Sequence, residues 1–115
     1  MWWNKAAVAA VLAASLSLAP PPGRAAEVCP ARAGQAVRFV DIFDGAPEEL
    51  ATLVPDKARK FSGYWRLGYV YDAGRFVTVR CKYADRTVTD VKLPSKVRQC
   101  DYKIDAQKSL KLTCH

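Results

Sequence analysis

Residues 64–83 read YWRLGYVYDAGRFVTVRCKY, and the next ten, ADRTVTDVKL, extend the pattern. Trp65, Leu67 and Tyr69 occupy alternate positions, Asp72-Ala73-Gly74 supplies a turn, and Val77, Val79, Cys81 and Tyr83 alternate again. Setting Tyr71 opposite Arg75 aligns Tyr69 with Val77, Leu67 with Val79 and Trp65 with Cys81, so the large apolar residues share one face. A second hairpin follows the same logic. With Tyr83 opposite Thr87, Cys81 meets Thr89, Val79 meets Val91 and Val77 meets Leu93. A one-residue slip would push these side chains into water, so the register is specified by the pattern itself.

The last hairpin runs from Val97 to Ile104 and back from Leu110 to Cys114. Ile104 against Leu110 places Tyr102 against Leu112 and Cys100 against Cys114. Opposed cysteines reach bridging distance only at a pair that is not hydrogen-bonded. This register favours Cys100–Cys114 and leaves Cys29–Cys81 to tie the N-terminal segment under Trp65, although four cysteines allow two other connectivities. By loop entropy the short ring contributes roughly 3 kcal/mol and the long one about 4.

Upstream, VRFVDIF (residues 37–43) reads as a strand, with Val37, Phe39, Asp41 and Phe43 on one face and Val40 and Ile42 on the other. Asp44-Gly45 turns the chain. Pro47 suits a helix start, Glu48 and Glu49 place negative charge at its positive end, and Leu50, Leu53 and Val54 form an apolar side before Pro55 ends it. The pattern predicts a helix of about two turns.

The N-terminus reads as a secretory signal spanning residues 1–25, leaving one disulfide-stabilised domain over 26–115. Lys5 is the basic flank, residues 6–19 are uncharged and apolar, prolines 20–22 stop any helix, and small residues permit cleavage between Ala25 and Ala26. The apolar run falls short of the ~20 residues a span needs, so no stable membrane anchor is expected after cleavage. Cys29 lacks the Leu-small-small approach that lipidation requires. Export places the even set of cysteines in an oxidising compartment, the periplasm or beyond, where a domain this small gains from crosslinks.

Charge is segregated along the remaining chain. Residues 26–56 carry two basic and six acidic groups, whereas residues 57–115 carry 14 basic and five acidic ones. Such a field steers a partner, or folds upon itself with the acidic part against the basic remainder. The outward positions of the meander carry Arg66, Arg80, Lys82, Lys92, Lys103 and Lys111, with Tyr64, Tyr71 and Phe76 alongside. Arg66, Arg80, Lys82 and Lys92 are candidates for binding a protein or an anionic envelope component; export argues against nucleic acid.

Catalytic constellations are scarce. The single histidine, His115, is the last residue, and no interior histidine activates a serine. No Cys-x-x-Cys spacing suggests zinc, so the sequence implies no metal and no cofactor. The acidic run Asp41, Asp44, Glu48, Glu49 and Asp56 could in principle hold a hard cation or form an acid–base pair, but its spacing matches no calcium loop and the helix dipole accounts for its glutamates. Asp44, Glu48 and Glu49 are retained as candidate partner contacts.

The run FDGAPEEL (residues 43–50), followed by Pro55-Asp56, Trp65, VRCKY (residues 79–83), Leu93-Pro94, Cys100 and Cys114, resembles a family of small exported four-cysteine proteins of Gram-negative bacteria named after a typhoid Salmonella locus product. The likeness covers essentially all of the chain after the signal. It implies an exported disulfide domain and adds no catalytic residue. The type VI secretion genes around the family's founding member imply immunity against a periplasm-targeted toxin.

The sequence therefore predicts an α+β domain, a small antiparallel β-meander sheet of five or six strands with one short helix and two disulfides. It points to a non-enzymatic periplasmic or secreted binding protein. The alternative reading is an immunity or inhibitor protein against a cell-wall-targeting toxin or hydrolase. Further alternatives are a weak carboxylate-based enzyme and a structural envelope component.

Overall fold

The computed structural model describes residues 26–115; the signal sequence expected over 1–25 and its cleavage site lie outside the described residues. Strands β1 (Ala26–Glu27), β2 (Val37–Asp44), β3 (Lys57–Ala58), β4 (Ser62–Arg66), β5 (Val77–Tyr83), β6 (Val88–Leu93), β7 (Gln99–Ile104) and β8 (Leu110–Cys114) accompany one short helix, α1 (Gly68–Asp72). They form two antiparallel sheets, one ordered β1-β8-β7-β4-β3 and one ordered β2-β5-β6. Among the described residues no helix is long and apolar enough to cross a membrane.

Two of the three expected hairpins have the expected register. Cys81 faces Thr89, Val79 faces Val91 and Val77 faces Leu93; Ile104 faces Leu110, Tyr102 faces Leu112 and Cys100 faces Cys114. Both disulfides form as this register favours. Cys100–Cys114 crosslinks neighbouring strands, with Cα atoms 4.0 Å apart. Cys29–Cys81 has a different role. Cys29 follows β1 in the five-stranded sheet and Cys81 lies on β5 in the other, so the bond staples the two sheets together.

The hairpin expected between residues 64–71 and 75–83 does not form. Trp65 pairs with Cys100 instead of Cys81, and residues 68–72 turn into α1. Alternation at Leu67, Tyr69 and Tyr71 competes with the helical spacing Leu67, Val70, Tyr71, and the helical set wins the core. Leu67 and Val70 are fully buried while Tyr69 is 55% exposed. The Tyr71 hydroxyl donates to the Leu93 carbonyl oxygen at 2.7 Å, closing α1 over the end of β6; burial raises the phenol's pKa. The chain thus changes sheets at α1, and the single meander becomes two layers.

The helix expected after Pro47 is also shorter than read. A single 3-10 turn spans Pro47–Glu49 and ends at Leu50 in the left-handed conformation. Backbone pairing with the edge of β2 stops it: Asp44 N–H donates to Ala51 and Leu53 N–H to Ile42. Leu53 packs on the core, whereas Leu50 and Val54, expected on the same apolar side, are both more than 80% exposed. In β2 a bulge between Val37 and Phe39 turns Val37 to the core side with Val40 and Ile42, against the strict alternation.

Trp65, Leu67, Val70, Val79, Cys81, Cys100 and Leu112 belong to one buried cluster between the sheets. Gly63 makes room for part of it. Its β4 position lies opposite Tyr102, and a Cβ there would press on the Lys57 carbonyl and come within 2.5 Å of the Tyr102 ring. That ring packs 5.4 Å from Trp65 at a tilt of 53°.

Trp65→Ala removes a buried aromatic and its 3.1 Å hydrogen bond to the Leu53 carbonyl, and should cost about 3–5 kcal/mol in urea unfolding. A loss under about 1 kcal/mol would contradict its burial. Gly63→Ala should cost about 1–3 kcal/mol through overpacking, with near-ultraviolet circular dichroism reporting the displaced Tyr102; an unchanged spectrum and melt would refute the close contact. Replacing both Cys29 and Cys81 with Ser should destabilise by about 4 kcal/mol, more than the ~3 kcal/mol for the Cys100/Cys114 pair, and the opposite ranking would argue against the long crosslink's dominance.

Candidate functional site

β2 is an edge strand, and residues 51–53 cover its free edge only alongside Ile42–Asp44. Where that cover ends, the two sheets diverge and leave an apolar cleft of about 290 Å³. Its walls include Phe39, Leu53, Val54, Trp65, Tyr102 and Ile104. At the rim, Phe39 is 54% exposed and Val54 82% exposed. Trp65 holds the inner wall, its indole N–H tied to Leu53. Asp41 also lines the cleft, and its carboxylate pairs with Lys82 at 2.7 Å.

The outer face of the three-stranded sheet begins at the same rim. Register places Phe39, Lys82 and Val88 in one row, Asp41, Arg80 and Asp90 in the next, and Phe43, Thr78 and Lys92 in a third. Arg80 grips Asp90 with two hydrogen bonds, of 2.8 and 3.1 Å. That contact holds the Asp90 carboxyl below the usual carboxylate range, and raises Arg80 in turn, with Asp41 and Glu48 adding weaker attraction. The cations also lie over aromatic rings: Arg80 over Phe43 at 5.3 Å, Lys82 over Phe39 at 5.5 Å and Lys92 over Phe76 at 4.3 Å.

The structure therefore brings Arg80, Lys82 and Lys92 onto one face and adds acids to it. Asp44 pairs with Arg75 at 2.7 Å at one end of β2, and Glu48 and Glu49 occupy the adjoining 3-10 turn. Gly45, at φ 90°, leaves its side open to the Glu49 carboxylate. The basic stripe and the acidic helix start, read as separate candidates, thus form one mixed surface. Arg66 departs from the expected stripe. Because the chain changes sheets at α1, Arg66 lies on β4 in the five-stranded sheet, where its guanidinium lies over Tyr64 at 5.6 Å and its N–H donates to Asp56. Tyr64 goes with it, while Tyr71 is drawn into the seam at Leu93.

For chemistry, this surface offers charge pairing. Asp41 and Asp44 each face a cation, which is the arrangement of an ion-paired face and not of two carboxylates sharing a proton. Among the described residues no three His, Cys, Asp or Glu side chains gather as a metal site. The rim residues Phe39 and Val54 were absent from the sequence-based candidates. Alternation in residues 37–43 did place Phe39 opposite Val40 and Ile42, but the cleft beneath it is made by Trp65, Tyr102 and Ile104 from the other sheet.

No curated protein and no solved structure matches the chain. A family model does, and its description fits the type VI secretion connection that the resemblance implied. It is the type VI secretion system Tli immunity protein, matching residues 31–115, and the chain belongs to that family.

Proposed function

We propose that the protein neutralises a type VI secretion toxin by stoichiometric binding in the periplasm, and that the cleft at the β2 edge receives the toxin. Membership of an immunity family supports a toxin as partner, and the two disulfides suit an oxidising compartment. The observation that carries the assignment of the surface is the exposure of Phe39 and Val54 around an apolar cleft. Exposed large apolar residues gathered around a concavity mark interaction sites, and aromatic anchors filling or flanking such pockets dominate interface energetics.

The surrounding charges contribute selectivity. Arg80, Lys82, Asp41 and Asp90 already satisfy one another, so a partner meets a patterned surface of both signs and not a bare cationic field. Patterned charge at an interface penalises wrong partners more than it adds affinity. Arg80, Lys82, Lys92, Asp44, Glu48 and Glu49 form this surround in the proposal; Arg66, on the other sheet, has no part in it. Neutralisation by occupancy requires no catalytic group on this chain.

The test is protection of susceptible cells exporting the protein while under attack by a type VI secretion strain that kills unprotected cells. Phe39→Asp combined with Val54→Asp should abolish protection, with toxin affinity reduced about 30-fold or more, as for the loss of an anchor worth about 2 kcal/mol. The melting temperature should move little, because both side chains are exposed in the free protein. Full protection by this stable double variant would exclude the cleft as the toxin surface.

A further inference from the structure

The five-stranded sheet presents a second, chemically different surface. Its outward positions align in rows across the strands. One row is Lys111, Lys103 and Ser62, and the Arg59 N–H bonds the Ser62 carbonyl at its end. Lys103 and Lys111 are directly opposed. Like charges at that position oppose folding, so the fold itself gains nothing from the pair.

The row belongs to a larger cationic end of the sheet. Lys57 lies on β3 opposite Tyr64, Lys60 stands in the β3–β4 turn, and Lys108 in the β7–β8 turn. All 11 acidic residues of the chain fall within the described region. Among the described residues none makes an ion pair with Lys57, Arg59, Lys60, Lys103, Lys108 or Lys111. Neighbouring carboxylates are otherwise engaged: Asp56 by the Arg66 N–H at 2.6 Å, Asp101 by Gln99 at 2.8 Å and His115 at 3.3 Å, and Asp105 by the N–H groups of Gln107 and Ser109. Lys57, Arg59 and Lys103 converge, with Ser62, Tyr64 and one acid, Asp101, on a shallow pocket of about 220 Å³. At the tip of the β3–β4 turn, Phe61 is 57% exposed, with the Lys60 ammonium 5.3 Å from its ring centre.

We propose that this end of the five-stranded sheet docks the protein on an anionic phospholipid membrane, with the cations over the phosphates and Phe61 entering the headgroup boundary. Charge complementarity identifies the partner: six cations on one end of a sheet make no ion pair, whereas Arg80 and Lys82 on the other sheet are paired with Asp90 and Asp41. The exposed aromatic at the tip favours a lipid surface over a soluble anion, since basic residues beside an inserted ring are the usual form of an interfacial anchor. The surface is distinct from the β2 cleft, so a membrane-bound molecule keeps its toxin-facing edge free.

The experiment is co-sedimentation of the protein, purified from the periplasm, with vesicles of phosphatidylcholine alone or mixed with phosphatidylglycerol. Binding should require phosphatidylglycerol and fall steeply with added salt. Lys111→Glu should lower partitioning about fivefold or more, while its melting temperature is kept or raised, because Lys103 then faces an opposite charge. Phe61→Ser should lower partitioning with the charge unchanged. Equal sedimentation with both vesicle types, or no sedimentation with either, would overturn the proposal. So would a Lys111→Glu variant that binds vesicles normally. Loss of toxin protection in Lys111→Glu without any vesicle binding would assign the cations to a protein partner instead. Protection lost by the Phe39/Val54 variant bears only on the cleft, so the two readings fail separately.

Discussion

The seam between the two sheets is the constraint on which the rest of the molecule depends. Each sheet alone would expose its side of the buried cluster, and a chain of this length has little apolar area to spare. Cys29–Cys81 crosses the seam directly, and residues 28–32 lie along it. Val28 donates its N–H to Leu112 on one side, while Arg32 lies 4.4 Å over the Tyr83 ring on the other. The Tyr83 hydroxyl returns to the Pro30 carbonyl. This strap makes the N-terminal segment part of the core's closure.

At the β2 side of the seam the bridge is non-covalent: Leu53 donates its N–H to Ile42 on one sheet and accepts from the Trp65 indole on the other. The cleft is a consequence of that asymmetry. Residues 51–53 close the β2 edge only in part, Trp65 fills the space behind them, and Phe39 and Val54 remain at the mouth. A crosslinked, stiff scaffold carrying an apolar cleft at the β2 edge suits a protein that meets its partner preformed, because less ordering entropy is lost on binding.

The electrostatics divide between the same two layers. The acids of β2 pair with basic residues from the C-terminal part of the chain, Asp41 with Lys82 on neighbouring β5 and Asp44 with Arg75 in the loop before it, and Asp56 takes the Arg66 N–H. Of the two outcomes open to a chain with segregated charge, internal pairing prevails there. The excess positive charge is left on the five-stranded sheet, where Lys103 faces Lys111.

Local pattern alone determined the β5–β6 and β7–β8 hairpins, their registers and the Cys100–Cys114 pairing, because in a hairpin the alternation of side chains and the short turn fix the pairing between close neighbours; Cys29–Cys81 followed only as the remaining pair. The chain's segregated charge was legible in the same way. The switch of sheets was not. Leu67, Tyr69 and Tyr71 support a strand while Leu67, Val70 and Tyr71 support a helix, and a run this short satisfies both periods. The core between the layers chose, by burying Leu67 and Val70 and leaving Tyr69 outside. That choice also decided the candidate sites. It separated Arg66, Lys103 and Lys111 from Arg80, Lys82 and Lys92, and it set Trp65 and Ile104 opposite Phe39. A cleft assembled from separate stretches of chain, residues 39–42, 52–55, 65, 102, 104 and 110, leaves no local trace, since its existence depends on how two sheets pack and not on any single stretch.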